Sequence, residues 1–255
     1  MSLAPRRTVV VLAAGEGKRM KSATPKVLHP LLGRTLLGHV LTAAGSARAA
    51  ATIVVVGHKA EQVREHLSAI APAATPVLQA QQNGTGHAVR IALEAVADAT
   101  GTVVVLNGDV PLLRPETVEA LLVAHEEAQA GATVLAAEVD DPTGLGRVVR
   151  DAAGNLERIV EERDADPAVR AIREINAGIY AFDAGLLREA LGKLSTDNDQ
   201  GEEYLTDVFA VLATAGHPVG VFVAGDAEET LGCNDRAELA KLRALLRDRV
   251  NTAWM

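Results

Sequence analysis

Residues 8–26 read TVVVLAAGEGKRMKSATPK. The continuous apolar run from Val9 to Leu12 is the mark of a strand covered on both faces, and it stops at two glycines, Gly15 and Gly17. Four cations follow, Lys18, Arg19, Lys21 and Lys26, against the single Glu16, in a chain whose formal net charge is -8. Glycine has no Cβ, so the backbone there can take positive φ and bring its amides within hydrogen-bonding distance of phosphate oxygens. The neighbouring cations neutralise the rest. A local reversal of sign in an acidic protein points to an anionic ligand.

Outward from this stretch the chain alternates strands and helices. Leu36, Leu37, Val40, Leu41 and Ala44 recur at helical spacing, and residues 52–57 (TIVVVG) give a second buried strand, which completes a βαβ unit. A helix over 61–67, a strand over 77–79, a helix over 87–96 and a strand over 102–106 continue the pattern. The prediction is an α/β fold with a Rossmann-like, mostly parallel sheet. Ligands of such sheets sit beyond the carboxyl ends of the strands, so residues 15–19, 79–86 and 107–109 are expected to converge.

After a helix over 115–130 the composition changes. Strands predicted at 132–139, 147–150, 156–161 and 175–182 follow too closely for crossover helices. They predict a mixed, partly antiparallel extension lying over the first half. Helices over 183–194 and 204–215, a strand over 219–223 and one long C-terminal helix complete the chain. Asn234 is the expected cap of that last helix, followed by Leu239, Leu242, Leu246 and Val250 at helical spacing. The expected division is a main domain over 1–227 and a C-terminal helical arm over 228–255.

With 255 residues, 48% of them hydrophobic, the chain can fill a substantial core. Six aromatic residues and a net charge of -8 argue against a nucleic-acid partner, which needs basic stripes and stacking platforms. A base would then be held mainly by hydrogen bonds. The single Cys233 cannot form an internal disulfide, as expected of a cytoplasmic protein. Arg6-Arg7 before an apolar run superficially resembles a secretory signal, but the run is short and leads straight into the glycine turn. No stretch approaches the ~18 apolar residues of a membrane span.

Position five after Gly15 is Met20, which excludes both a P-loop and a Gly-x-Gly-x-x-Gly dinucleotide fingerprint. The longer string LAAGEGKRM at 12–20, followed by Pro25-Lys26, resembles the sugar-1-phosphate nucleotidyltransferase signature L-A-A-G-x-G-T-R-M followed by P-K. It departs at Lys18, where the family usually has Thr. Residues 78–88, LQAQQNGTGHA, place amides that can donate and accept at once beside two glycines. Alone they read equally as a polar connecting loop, but they resemble the L-Q-x-x-Q-x-G-T-G-H-A motif of bacterial N-acetylglucosamine-1-phosphate uridyltransferases. The resemblance spans nearly the whole chain.

That resemblance implies the roles of particular residues. Leu12, Ala13, Ala14 and Gly15 would lie against the nucleotide, Gln79, Gly84 and Thr85 would contact uracil, and Asn107 and Gly108 would stand at the end of the next strand. Asn107 is itself a departure from the family pattern. Asp109 and Asn234 would hold Mg2+, which needs only one or two carboxylates when phosphate oxygens and water complete its shell. Gly146, Glu161 and Asn176 would bind the amino sugar, and Arg19 and Lys26 would carry catalysis. The implied reaction takes UTP and N-acetylglucosamine 1-phosphate to UDP-N-acetylglucosamine and pyrophosphate. The family's hexapeptide-repeat acetyltransferase half, which trimerises it, has no counterpart here, so a truncated chain or a single-activity relative is expected and the oligomeric state is open. Another sugar or base specificity also stays open. A silent regulatory subunit of this fold would have lost Lys26 or Asp109, and both are present. Cys233 is read as buried packing, with no His near it in sequence, and the His spacing does not suit zinc.

Overall fold

The computed structural model describes residues 6–255. Strand β1 (Arg7–Ala13) runs through the middle of the molecule, with Val9, Val10 and Val11 fully buried, as an apolar run covered on both faces requires. A small hairpin of β2 (Pro30–Leu31) and β3 (Arg34–Thr35) follows, then α1 (Leu36–Ala44), capped by the Thr35 hydroxyl, and β4 (Ala51–Val56). Next come α2 (Ala60–Ile70), β5 (Thr75–Leu78), α3 (Thr85–Glu94), β6 (Thr102–Asn107) and α4 (Pro115–Glu127). The second half contains β7 (Ala132–Glu138), β8 (Arg147–Arg150), β9 (Leu156–Val160), α5 (Pro167–Arg170), β10 (Glu174–Asp183), α6 (Ala184–Leu191), α7 (Asp207–Thr214), β11 (Val219–Val223) and α8 (Arg236–Trp254).

One nine-stranded sheet has the order β11-β7-β10-β6-β1-β4-β5, with the β8–β9 hairpin branching from β10. Along the main path only β10 runs against its neighbours, so the sheet is mostly parallel, as predicted. Its registers align the strand ends that matter: Leu12 faces Asn107 on β6, Ala13 faces Val56 on β4, and Val56 faces Leu78 on β5. The segments after β1, β5 and β6 therefore emerge along one edge.

The second half is mixed and partly antiparallel, as expected, but its placement differs. It does not form a separate layer over the first. β7, β10 and β11 continue the same sheet, and only β8 and β9 project from it. The reason is burial on both faces: in β10, Ile179 and Ala181 enter one core cluster while Tyr180 and Phe182 enter the other. A strand buried in this way must be internal. On one face α3, α6 and α7 cover the sheet, and on the other α1, α2 and α4.

A third cluster joins Met20, Leu31, Leu36, Leu112 and Cys233 to Leu242 of α8, fastening the C-terminal helix beside the glycine turn. The cap of α8 is Asp235, not Asn234: its Oδ1 accepts the N–H groups of Ala237 (2.8 Å) and Glu238 (2.9 Å). Asn234 stands one residue outside the helix, with its side chain available for another role. Among the described residues no helix is long and apolar enough to cross a membrane.

Candidate active site

The turn after β1 is shaped by Gly17, whose φ is +64 and whose added Cβ would lie 2.7 Å from Lys26 Cβ. Only glycine lets the chain double back so closely on Lys26. The turn is anchored by buried Met20, while Lys18 pairs with Glu16 at 2.9 Å and Arg19 is exposed. Arg19, Lys26 and Asn234 line one cleft of about 240 Å3. Lys21 faces none of the clefts described here.

The loop after β5 closes on itself. Buried Gln79 donates through Nε2 to the Gly84 carbonyl at 3.0 Å and stands 3.1 Å from His87 Nδ1. Gln82 Nε2 donates to the Ala14 carbonyl at 2.8 Å, tying this loop to the end of β1. With Leu12, Ala13, Ala14, Gly15, Lys26, Gly84, Thr85, Asn107 and Asp109 they line a cleft of about 300 Å3. Gly108 lies outside it. Its N–H is taken by the Leu12 carbonyl at 2.9 Å, so Gly108 secures the neighbouring strand ends.

A segment that the sequence did not mark supports this loop from the far side. The Glu203 carbonyl accepts the Gly86 N–H at 2.8 Å, the Glu203 N–H donates to the Asn83 carbonyl at 2.9 Å, and the Leu205 N–H donates to Thr85 Oγ1 at 3.0 Å. Glu203 is itself paired with Arg90 on α3. Gly84, at φ +108, is required because a Cβ there would collide with the Glu203 backbone.

Asp109 follows β6 and makes an ion pair with Lys26, both side chains being largely withdrawn from solvent. Lys26 Nζ also lies 3.4 Å from Asn234 Oδ1. The Cys233 N–H donates to the Asp109 carbonyl at 2.9 Å, which brings residues from opposite ends of the sequence to one point. Two oxygens, one charged and one neutral, thus converge on a cation that the protein itself supplies. Among the described residues no group of three or more His, Cys, Asp or Glu could hold a metal, so an ion bound here would depend on oxygens brought by a ligand. Burial, with Asp109 and Glu238 nearby, pushes the Cys233 thiol up to about 12, which removes it as a nucleophile.

A further cleft of about 240 Å3 adjoins the first and shares Leu12, Thr85, Asn107 and Asp109 with it. Gly146, Glu161 and Asn176 line it, as do Tyr180 and Gly232, which the sequence did not single out. Asn176 sits where β10 bulges: its Nδ2 donates to the Tyr180 hydroxyl at 2.8 Å and its Oδ1 accepts the Gly178 N–H at 2.9 Å. The Thr206 hydroxyl donates to Glu161 Oε1 at 3.2 Å. Burial raises the Glu161 carboxyl above its ordinary range, and the carboxylates of Asp164 and Asp207 add to the rise. The largest cavity, about 690 Å3, lies between α1 and α2 and contains none of the predicted residues.

Comparison with known proteins gives the family. A family model described as nucleotidyl transferase matches residues 8–255. The bifunctional protein GlmU of Streptomyces coelicolor is 56% identical over 257 residues, covering 100% of this chain and 53% of that protein. GlmU of Thermobifida fusca is 53% identical, covering 98% of this chain and 52% of its own length. The chain therefore spans about half the length of the curated relatives it matches. A crystal structure of UDP-glucose pyrophosphorylase complexed with UDP-glucose superposes with a TM-score of 0.77 at 16% identity, covering 96% of this chain and 99% of that one, which speaks for the fold alone. The match over nearly every residue, at identities above half, makes this chain a member of the nucleotidyl transferase family.

Proposed function

We propose that this chain is a cytoplasmic uridyltransferase that makes UDP-N-acetylglucosamine and pyrophosphate from UTP and N-acetylglucosamine 1-phosphate. The observation that carries this reading is the meeting of two clefts at Asp109, with Lys26 and Asn234 beside it. Residues 1–227 form the nucleotidyltransferase body, and the arm over 228–255 contributes Asn234. In this reading Gln79, Gly84 and Thr85 receive uracil, Leu12 to Gly15 and Asn107 flank the nucleotide, and Gly146, Glu161 and Asn176 receive the sugar.

The chemistry asks little of a general base, because the sugar phosphate already carries an anionic oxygen. That oxygen attacks the α-phosphorus of UTP, the bond to the bridging oxygen of the β-phosphate breaks, and pyrophosphate departs with the electron pair. What the protein must supply is alignment and neutralisation of charge. Asp109 and Asn234 would hold Mg2+, whose contribution is to neutralise phosphate charge; their fit is supported by the way both oxygens already turn toward a cation, the Lys26 ammonium. Lys26, beside both oxygens, would turn its charge to the triphosphate. Arg19, exposed on the rim of the same cleft, meets the departing phosphates.

The test is pyrophosphate release over a panel of nucleoside triphosphates and sugar 1-phosphates. UTP with N-acetylglucosamine 1-phosphate is expected to give the highest kcat/KM. Loss of the acetamido group leaves buried polar groups unpaired, which weighs more than a missing methylene, itself worth about 1–3 kcal/mol. Equal use of glucose 1-phosphate would refute the sugar assignment and spare the nucleotidyl transfer.

A further inference from the structure

The three residues assigned to the sugar lie side by side, Gly146 just before β8, Glu161 just after β9 and Asn176 within β10. Asn176 N–H donates to the Gly146 carbonyl at 2.9 Å, and a Cβ on Gly146 would lie 3.3 Å from Glu161 Oε2 and 3.5 Å from Asn176 Cβ. Next comes Arg147, which faces Val160 on β9 and Ile175 on β10. Side chains alternate between faces along a strand, so Arg147 points away from the cleft, directly beneath the residues that line it.

There Arg147 is 1% exposed and heads the fully buried side chains by volume. Its Nε donates to the Ile172 carbonyl at 3.0 Å, Nη1 to the Leu145 carbonyl, and Nη2 to Glu162 Oε2 at 2.8 Å and the Arg170 carbonyl at 3.3 Å. Each acceptor is next to something the cleft uses. Leu145 precedes Gly146, Glu162 follows Glu161, Arg170 ends α5, and Ile172 lies in the turn that leads from α5 into β10 and Asn176. A buried ion pair is poor value as a source of stability, since well-packed apolar residues often do as well. A planar fork with several fixed donors is well suited to holding separate segments at set spacings.

We propose that Arg147 is the positioning residue of the sugar cleft, setting Gly146, Glu161 and Asn176 relative to one another without touching the substrate. The proposal rests on the sugar reading given above. The test is steady-state kinetics of Arg147→Met with each substrate varied in turn, alongside a thermal melt. The KM for N-acetylglucosamine 1-phosphate is expected to rise about tenfold or more, as misplacement by a fraction of an ångström to one ångström commonly does, while the KM for UTP stays within about twofold. Glu162→Gln keeps the three carbonyl contacts and is expected to raise the same KM by about threefold, the share of one charge-assisted hydrogen bond weakened but not removed.

An unchanged sugar KM in folded Arg147→Met overturns the proposal, as does a parallel rise in both KM values, which marks general loosening. Should Arg147→Met fail to fold, an unchanged sugar KM in Glu162→Gln overturns it instead. The unmodified chain separates the two readings: if it does not saturate with the sugar phosphate, the sugar assignment fails and takes the positioning role with it, whereas normal saturation with indifferent variants removes the positioning role alone.

Discussion

Replacing Gly178 by alanine isolates the contact between the bulge of β10 and the end of β6. Gly178 has φ +71, and a Cβ there would press into Asn107 Nδ2. Gly154, in the turn between β8 and β9, provides an internal control, with φ +85 and nothing within 4 Å of an added Cβ. Left-handed backbone penalises any residue with a Cβ by about 1–2 kcal/mol, and this penalty is common to both sites. For a chain of this size each kcal/mol lowers Tm by about 2–4 °C, so Gly154→Ala is expected to fall by roughly 2–8 °C. Gly178→Ala must in addition either bear an overpacking penalty of about 1–3 kcal/mol or relieve it by swinging Asn107 aside. Asn107 lines both clefts, so relief comes at the expense of the site. A displacement near 1 Å at reacting groups lowers rate by about a hundredfold. Differential scanning fluorimetry and pyrophosphate release, run on both variants, separate the effects: Gly154→Ala loses stability and keeps its rate, whereas Gly178→Ala loses rate. Equal, small losses of activity in the two would show that the Gly178–Asn107 contact has no bearing on the site.

Asp109→Asn and Lys26→Ala are each expected to lower kcat by about a hundredfold or more with the circular dichroism spectrum unchanged, because each removes charge stabilisation at the reacting phosphorus. Near-normal turnover at saturating magnesium would refute the assigned role. Burial raises the native Cys233 thiol to about 12, so almost none of it is thiolate at pH 8. Iodoacetamide should therefore leave it unmodified until urea unfolds the chain, and rapid labelling of the native protein would contradict its burial. Because the Glu161 pKa is raised by burial, the folded state holds a proton that the unfolded chain has already released between the ordinary value of 4.5 and the raised one, so this group's unfavourable effect on stability grows as pH rises through that interval and is complete above it. Glu161→Gln should accordingly melt higher than the parent at pH 8, with the gain vanishing toward pH 4, while sugar affinity is lost; an equal gain at both pH values would exclude the linkage.

The parallel half of the sheet was legible because β1, β4 and β6 are buried on both faces and so read as unbroken runs of Val, Ile and Leu. The placement of β7 and β10 was not. Their apolar character announces burial, but periodicity says nothing about which strand lies alongside, and pairing β10 with β6 joins segments some seventy positions apart in sequence, as Ile179 with Leu106 shows. The two-residue strands of the β2–β3 hairpin and the single turn of α5 fall below the length at which spacing carries a signal.

For the site, legibility followed the kind of atom that does the work. Where a side chain is proposed to carry the chemistry, as with Lys26, Asp109, Gln79 and Glu161, the residue type marked it; the parallel strand ends bring Lys26, Gln79 and Asp109 to one cleft, and Glu161, which follows the antiparallel β9, lines the adjoining one. Where the main chain carries it, the letters are mute: the support of the 79–86 loop comes from the Glu203 carbonyl and the Leu205 amide, groups that every residue owns. Adjacent residues of equal capping ability gave the third kind of ambiguity. Asn234 and Asp235 can both cap a helix, and only the fold decides that Asp235 does so. That decision has a functional consequence, because a side chain spent on the first turn of α8 could not also face Lys26. By taking the cap, Asp235 leaves the Asn234 oxygen turned toward the cation that Asp109 already holds, and the C-terminal helix becomes part of the site through a residue just outside it.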